Sequence, residues 1–179
     1  IISLYLIIGL AFFTVLGPFL WTKDPSAQDL DQISQAPALP KTALLVSDYE
    51  PWTPPNVQGH PAEPAGYPDN LDAVTNFATV GTPNTQSVRF TWSPVQDAGG
   101  YSIYRSESKP NGLQGLGLPL ETLTAGNIVG FEDRLNLKSQ TYFYSIIPTD
   151  GLDEFEVVTT LKVTPVQSIT VSQALERGL

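Results

Sequence analysis

Three textures of hydrophobicity follow one another along the chain. Ile1 to Trp21 (IISLYLIIGLAFFTVLGPFLW) carries no ionisable side chain, and thirteen of its twenty-one residues are Ile, Leu, Phe or Val. At ~1.5 Å per residue a helix of this length rises roughly 30 Å, the thickness of the hydrocarbon core of a bilayer. The stretch is apolar all round rather than striped. That predicts a transmembrane helix over residues 1–22 rather than a core helix of a water-soluble domain. A cleaved signal peptide is the other reading. Against it, the run is longer than an ordinary signal core, and no small-x-small site closely follows Trp21. Tyr5 near one end, and Phe19 and Trp21 at the other, occupy the positions where aromatic rings favour the membrane interface. Lys23 and Asp24 mark the return to water.

From Lys23 to Thr75 the pattern loses its period. This segment holds nine of the sixteen prolines, and it carries eight acidic residues against two basic ones. Proline at this density blocks helices and removes ladder donors, so an extended, partly polyproline-like linker is expected over 23–75. Two local exceptions interrupt it. Ala27 to Ser34 pairs Leu30 with Ile33 at helical spacing, and Ala43 to Val46 is an apolar run suited to an edge strand. Tyr49, Trp52 and Tyr67 are expected to anchor the linker on the domain that follows; stacking on a ligand is the alternative.

From Asn76 to Pro165 apolar and polar residues alternate with period two, and turn residues recur every eight to twelve positions. That is the pattern of an all-β sandwich. Val88, Phe90 and Trp92 point one way, Arg89, Thr91 and Ser93 the other. Pro94 stops this strand and Asp97-Ala98-Gly99-Gly100 turns the chain. Tyr101 and Ile103 begin the next strand, which ends at Arg105. Lys109 to Gly117 reads as a loop, Leu118 to Leu123 as a short edge strand, and Ile128 to Glu132 as another strand. Tyr142, Tyr144 and Ile146 form an inward row, with Thr141, Phe143, Ser145 and Ile147 on the opposite face. Phe155 to Val163 is the last strand. A weak first strand near Asn76 to Val80 brings the count to about seven. Residues 166–179 form a tail or return segment, in which Ser172 is the expected cap of a short helix over Gln173 to Arg177.

Charge and composition then narrow the function classes. The chain of 179 residues has a net charge of −9, which argues against nucleic acid as a partner and against docking on anionic lipid. It has no cysteine and one histidine, so neither a disulfide, a zinc site nor a His-based triad is expected. The acidic groups Glu132-Asp133 and Asp150, Asp153, Glu154 and Glu156 read as solvated rims. The second group lacks the residue order of a calcium loop. Gly112, Gly115 and Gly117 have no helix behind them and do not form a phosphate loop. His60 is expected to be exposed. No catalytic, cofactor-binding or metal-ligating residue is predicted, and the chain is not expected to be an enzyme.

Two stretches, VRFTWSPVQDAGGYSIYRS (Val88 to Ser106) and GFEDRLNLKSQTYFYSIIPTDG (Gly130 to Gly151), resemble the fibronectin type III family. The resemblance implies a core tryptophan on the second strand, here Trp92. It implies a Tyr-x-Ile-x-Arg row on the third, here Tyr101, Ile103 and Arg105. It also implies a tyrosine corner, here Tyr142 with Leu137. The expected fold class is therefore an all-β, fibronectin type III-like (immunoglobulin-like) β-sandwich over 76–165, preceded by one N-terminal transmembrane helix and a Pro-rich linker. No Arg-Gly-Asp tripeptide is present.

A second resemblance lies at the other end. A hydrophobic helix running through Gly17-Pro18 to Asp24-Pro25 and Asp29-Leu30 resembles the first transmembrane helix, and its exit, of the second permease subunit of oligopeptide and dipeptide ABC importers. The Gly-Thr-Asp motif usual after the short loop of that family is absent, and the β-domain follows instead. This resemblance implies a bacterial cell-membrane protein with residues after about 22 extracytoplasmic. Its implied partners are the lipid bilayer, a partner permease subunit, ATPase subunits and an extracytoplasmic solute-binding protein. Two other readings stay open. One is a single-pass surface protein displaying an adhesion or binding module. The other is an accessory module of a secreted carbohydrate-active enzyme, with the first stretch as signal peptide.

Overall fold

The alternating segments fold as strands, and they bury the rows that the pattern marks. The computed structural model describes residues 43–63, 66, 68–151 and 153–176, and Tyr5. The described residues from 43 onward belong to one compact unit; of a second, residues 1–40, only Tyr5 is described. The rest of the expected membrane helix, the Ala27–Ser34 turns, Tyr67 and residues 177–179 lie outside the described residues. Among the described residues no helix is long and apolar enough to cross a membrane.

Strands β2 (Ala78–Val80), β3 (Val88–Thr91) and β6 (Gly130–Asp133) form one sheet in the order β2-β3-β6. Strands β4 (Gly100–Ser106), β5 (Glu121–Leu123), β7 (Tyr142–Thr149) and β8 (Thr159–Val163) form the other, in the order β5-β4-β7-β8. Every pairing within the two sheets is antiparallel. Three strands facing four, in this order, make a fibronectin type III-like β-sandwich. A further pair stands beside it: β1 (Leu44–Val46) runs parallel to β9 (Ser168–Thr170), with Leu44 opposite Ser168 and Val46 opposite Thr170.

The core is aromatic. Val88, Phe90, Tyr101, Tyr144 and Ile146 are fully buried, with Trp92, Ile103 and Tyr142 nearly so. Phe90 meets Tyr144 across the two sheets at 4.5 Å between ring centroids, and Trp92 meets Tyr101 edge-on at 5.2 Å. Such pairs contribute about 0.5–1.5 kcal/mol beyond the area they bury. The tyrosine corner is present: the Tyr142 hydroxyl accepts the Lys138 N–H at 3.0 Å, above buried Leu137.

Tertiary packing departs from the sequence pattern at five places. Leu71 and Val74 already lie in the core, so the apolar contacts begin before Asn76. Strand β8 starts at Thr159 rather than Phe155, because Phe155 N–H turns back to the Pro148 carbonyl and Glu154 bridges Thr149. The face of β7 opposite the core is covered as well. Ile147 joins Tyr104 and Leu116 in a second cluster, roofed by the loop that carries the 3₁₀ turn Leu113–Gly115. The helix α1 (Val171–Glu176) is capped by Thr170, not Ser172. Thr170 Oγ1 accepts the Gln173 N–H, and Gln173 Oε1 accepts the Thr170 N–H, each at 3.1 Å, a reciprocal capping box.

The fifth departure concerns Asp133, which is buried with 1% of its side chain exposed. It stands on β6 and reaches into the opposite sheet. Its Oδ2 accepts from Arg105 Nη1 at 2.7 Å and from the Tyr144 hydroxyl at 2.6 Å, while Oδ1 accepts the Leu135 N–H at 2.9 Å. Arg105 also donates to the Leu135 carbonyl and lies over the Tyr142 ring. Burial and the Asp133 carboxylate push the Tyr144 phenol above its ordinary 10.0. Burial, with Glu154 beside it, does the same for Tyr104.

Asp133→Ala is expected to lower stability by about 3–5 kcal/mol, since it leaves a half-buried guanidinium and a buried hydroxyl without their acceptor. Glu132→Gln, next along the strand, is expected to stay within about 1 kcal/mol. Equal shifts of the urea midpoint in the two variants would rule out Asp133 as the tie. Alkaline pH gives a second check. The unfolded chain releases the Tyr144 proton first, so the stability that Tyr144 contributes is complete below pH ~10 and is lost above it. Tyr144→Phe is expected to remove up to about 1.4 kcal/mol per pH unit from that decline; an unchanged alkaline slope in the variant would contradict this.

Candidate interaction surface

Residues 49–63 of the Pro-rich segment lie on the sandwich as a strap, and the residues they cover explain its course. On the outer face of the three-stranded sheet, Gly130 of β6 is paired with Thr91 of β3. A Cβ at Gly130 would sit 2.6 Å from Pro55 Cδ and 2.9 Å from the Trp52 ring. Absence of a side chain is what lets the strap approach this closely. Beyond that point the strap adds itself to the sheet edge. Val129 N–H donates to the Pro55 carbonyl at 3.0 Å, Val57 N–H to Asn127 at 2.9 Å, and Asn56 bridges Ile128. Val57 packs against the main core. The prolines cost the strap some donors, so it meets the edge in a few bonds rather than a full ladder.

At the far end the strap is fastened to a turn and a loop. Gly126 N–H donates to the Ala62 carbonyl at 2.9 Å. A Cβ on Gly126 would stand 1.8 Å from the Ala98 carbonyl oxygen, so this position also admits only glycine. The Tyr101 hydroxyl accepts from Val95 N–H and donates to the Gly126 carbonyl. His60 belongs to the same junction. Its Nε2 lies 3.0 Å from the Val95 carbonyl and its Nδ1 lies 2.9 Å from the Pro61 carbonyl. The lone histidine is thus half-buried and bonded, not free in a linker.

Charged and aromatic side chains hold the other end. Arg89 Nε and Glu132 Oε1 pair at 2.8 Å across β3 and β6, and Glu132 Oε2 accepts the Tyr49 hydroxyl at 3.1 Å. The Arg134 guanidinium stacks 3.4 Å from the Tyr49 ring centre, and that of Arg89 lies 5.8 Å from the Trp52 ring. Both aromatics therefore anchor the strap. Beside them opens a hollow of about 290 Å³ bounded by Val46–Glu50 on one side and by Asn84, Gln86, Ser87 and Arg89 on the other. Asp48 at its rim accepts from the Ser172 hydroxyl at 2.6 Å and its N–H at 3.3 Å. The Ser172 hydroxyl bond is the main reason why the Asp48 carboxyl is held below its ordinary value.

The other acids singled out in the sequence do not converge. Asp150 Oδ1 accepts the Asp153 N–H in a turn, and Glu154 accepts the Tyr104 hydroxyl. Among the described residues no three His, Cys, Asp or Glu side chains come together as a metal site. Gly112, Gly115 and Gly117 flank or form the 3₁₀ turn over the second cluster. The surface built here combines aromatic, hydrogen-bonding and acidic groups on the sheet. Sequence reasoning located Tyr49 and Trp52 but not Arg89, Glu132 or Arg134. Nothing in the local pattern says that Arg89 will face Glu132; that follows from the β3–β6 register.

No family model matches the chain, and no curated protein matches it. Among solved structures it is similar to FN3tt mut, at 20% identity with a TM-score of 0.41, over 52% of this chain and 94% of that one. It is similar to the fn3 domain of human collagen alpha-1(XX), at 15% identity with a TM-score of 0.42, over 59% of this chain and 94% of that one. It is also similar to a beta-1,2-glucanase from Parabacteroides distasonis, at 20% identity with a TM-score of 0.40, over 64% of this chain and 16% of that one.

Gly130→Ala is expected to dislodge the strap without opening the sandwich. Amide hydrogen exchange at Val57 and Val129 is expected to quicken at least about tenfold, a loss of about 1.4 kcal/mol of local protection, while Phe90 and Tyr144 stay protected. Exchange that quickens uniformly throughout would mean that the strap and the sandwich open as one.

Proposed function

We propose that this chain supplies the first membrane helix and an extracytoplasmic, non-catalytic β-sandwich to a permease subunit of a peptide-importing ABC transporter. The sandwich hangs in the loop after that helix, where it contacts a partner or stiffens the outer face. The permease reading is supported by the order Gly17-Pro18, Asp24-Pro25, Asp29-Leu30 in and after the apolar stretch Ile1 to Trp21. The loop-hung reading is supported chiefly by the parallel β1–β9 pair. A domain hung between two membrane segments needs the points where its chain enters and leaves to lie close together. Leu44 and Ser168 are directly opposite each other, about 4.8 Å apart in the spacing of paired strands. Because the two strands are parallel, the chain leaves β9 at Thr170, opposite Val46 and roughly 7 Å along from its entry at Leu44, and turns at once into α1 beside β1. Asp48 then holds Ser172, and Asn84 Oδ1 accepts the Ser168 hydroxyl, which fastens the exit to the body of the domain.

The test is to delete residues 43–176 from the full protein in its native membrane, so that the strap, the sandwich and the β1–β9 pair leave together. Docking of the extracytoplasmic binding protein is expected to weaken at least about tenfold, and peptide uptake to fall with it. Unchanged docking and uptake would remove the partner-contact role. A full chain that floats with membranes but never co-purifies with ATPase subunits would instead be a single-pass surface protein.

A further inference from the structure

Exposed aliphatic side chains concentrate on one part of the molecule. Among the described residues ten large hydrophobic side chains are exposed, and five of them, Leu44, Leu45, Val166, Val171 and Leu175, belong to β1, α1 or the approach to β9. Leu44 and Leu45 are successive residues of β1 and face opposite sides of the β1–β9 pair, so it is Leu45 rather than Leu44 that can share a face with the others. Leu45 lies opposite Ile169 in the parallel register. Val171 and Leu175 stand four apart on α1, hence on one side of that helix, while Ala174 is the buried residue by which α1 seats itself. Helix α1 packs against both β9 and β1. Leu175 is 71% exposed and Leu45 59%, far more than two strands and one helical turn need for their own packing. The chain enters the domain through this annex and leaves it there.

We propose that this annex docks on the surface of the lipid bilayer and holds the sandwich against it. The proposal rests on the reading of Ile1 to Trp21 as a membrane helix. Twenty-one residues separate Trp21 from Ala43, a reach of at most about 75 Å. A tether of this length keeps a tethered surface near its target at roughly millimolar effective concentration. A few aliphatic side chains are a weak membrane signal alone, but a second signal beside an existing anchor makes attachment stable. Charge selects the lipid. Residues 41–50 and 166–177 contain three acids, Asp48, Glu50 and Glu176, and two bases, Lys41 and Arg177, while the whole chain carries a net charge of −9, so the domain suits zwitterionic headgroups and is repelled by anionic ones.

The chain contains no cysteine, so a single one carries a label cleanly. Leu175→Cys, and Leu118→Cys as a control exposed elsewhere on the domain, are labelled with an environment-sensitive fluorophore. The full chain is then reconstituted in phosphatidylcholine vesicles. Flotation after a carbonate wash reports, independently, whether the chain has inserted. In floated vesicles the label at 175 is expected to shift to the blue and to be quenched severalfold more by headgroup-proximal spin-labelled lipid than the label at 118. Adding phosphatidylglycerol is expected to reduce that difference. A water-like label at 175 in floated vesicles overturns the docking while the membrane helix stands. A chain that does not float overturns the helix and the docking together. Shielding at 175 that follows protein density, and not the spin-labelled lipid, assigns the annex to a second copy of this chain and also overturns the proposal.

Discussion

The two sheets are held in one relation by a single buried carboxylate. Asp133 leaves β6 of the smaller sheet and ends on Arg105 and Tyr144 of the larger one. Apolar burial draws two sheets together without fixing their offset, because a row of aromatic rings tolerates sliding. A charge placed in that interior has no such freedom, since it is costly to bury unless its partners stay within hydrogen-bond distance. The group is also closed on the polar side. Arg105 returns to the Leu135 carbonyl, and Leu135 N–H returns to Asp133. Within this frame the strap is seated on β6, the strand that carries Asp133.

On that frame, the segments outside the sandwich are put to specific use. The Pro-rich strap covers part of the free edge beside β6, an edge that would otherwise offer unpaired donors and acceptors to another chain. It is seated by Gly130, fastened by the Gly126 and His60 junction, and held at its start by Arg89, Glu132 and Tyr49. The last strand and helix do the complementary work at the point where the chain enters. Pairing β1 with β9 joins the two ends of the domain and leaves aliphatic side chains of both on the outside.

Several polar groups on the described surface hold segments in place: Glu132 is bonded by Arg89, Asp48 by Ser172 and Glu154 by Tyr104. A β-sandwich of this kind serves many contexts, and its role is set by what it is attached to and what its surface meets.

Much of the fold was legible in the residues. Alternation through Val88–Trp92 and Tyr142–Ile146 determined two-faced strands, and the turn residues between them determined a sandwich, because period two records which side of a strand is buried. The tyrosine corner of Tyr142 with Leu137 was implied by the fibronectin type III resemblance, and Ala43 to Val46 was marked as a strand. Period two does not record what a face is buried against. It therefore placed Ile147 outside, although a distant loop brings Leu116 over it, and it read Asp133 as a solvated rim because an acid beside a turn has no local sign of a partner in another sheet. Only the tertiary structure brought Leu44 beside Ser168, laid Trp52 on Gly130 and gave His60 its two carbonyls. Those contacts join residues far apart in the chain, and their energy exists only once both have been placed.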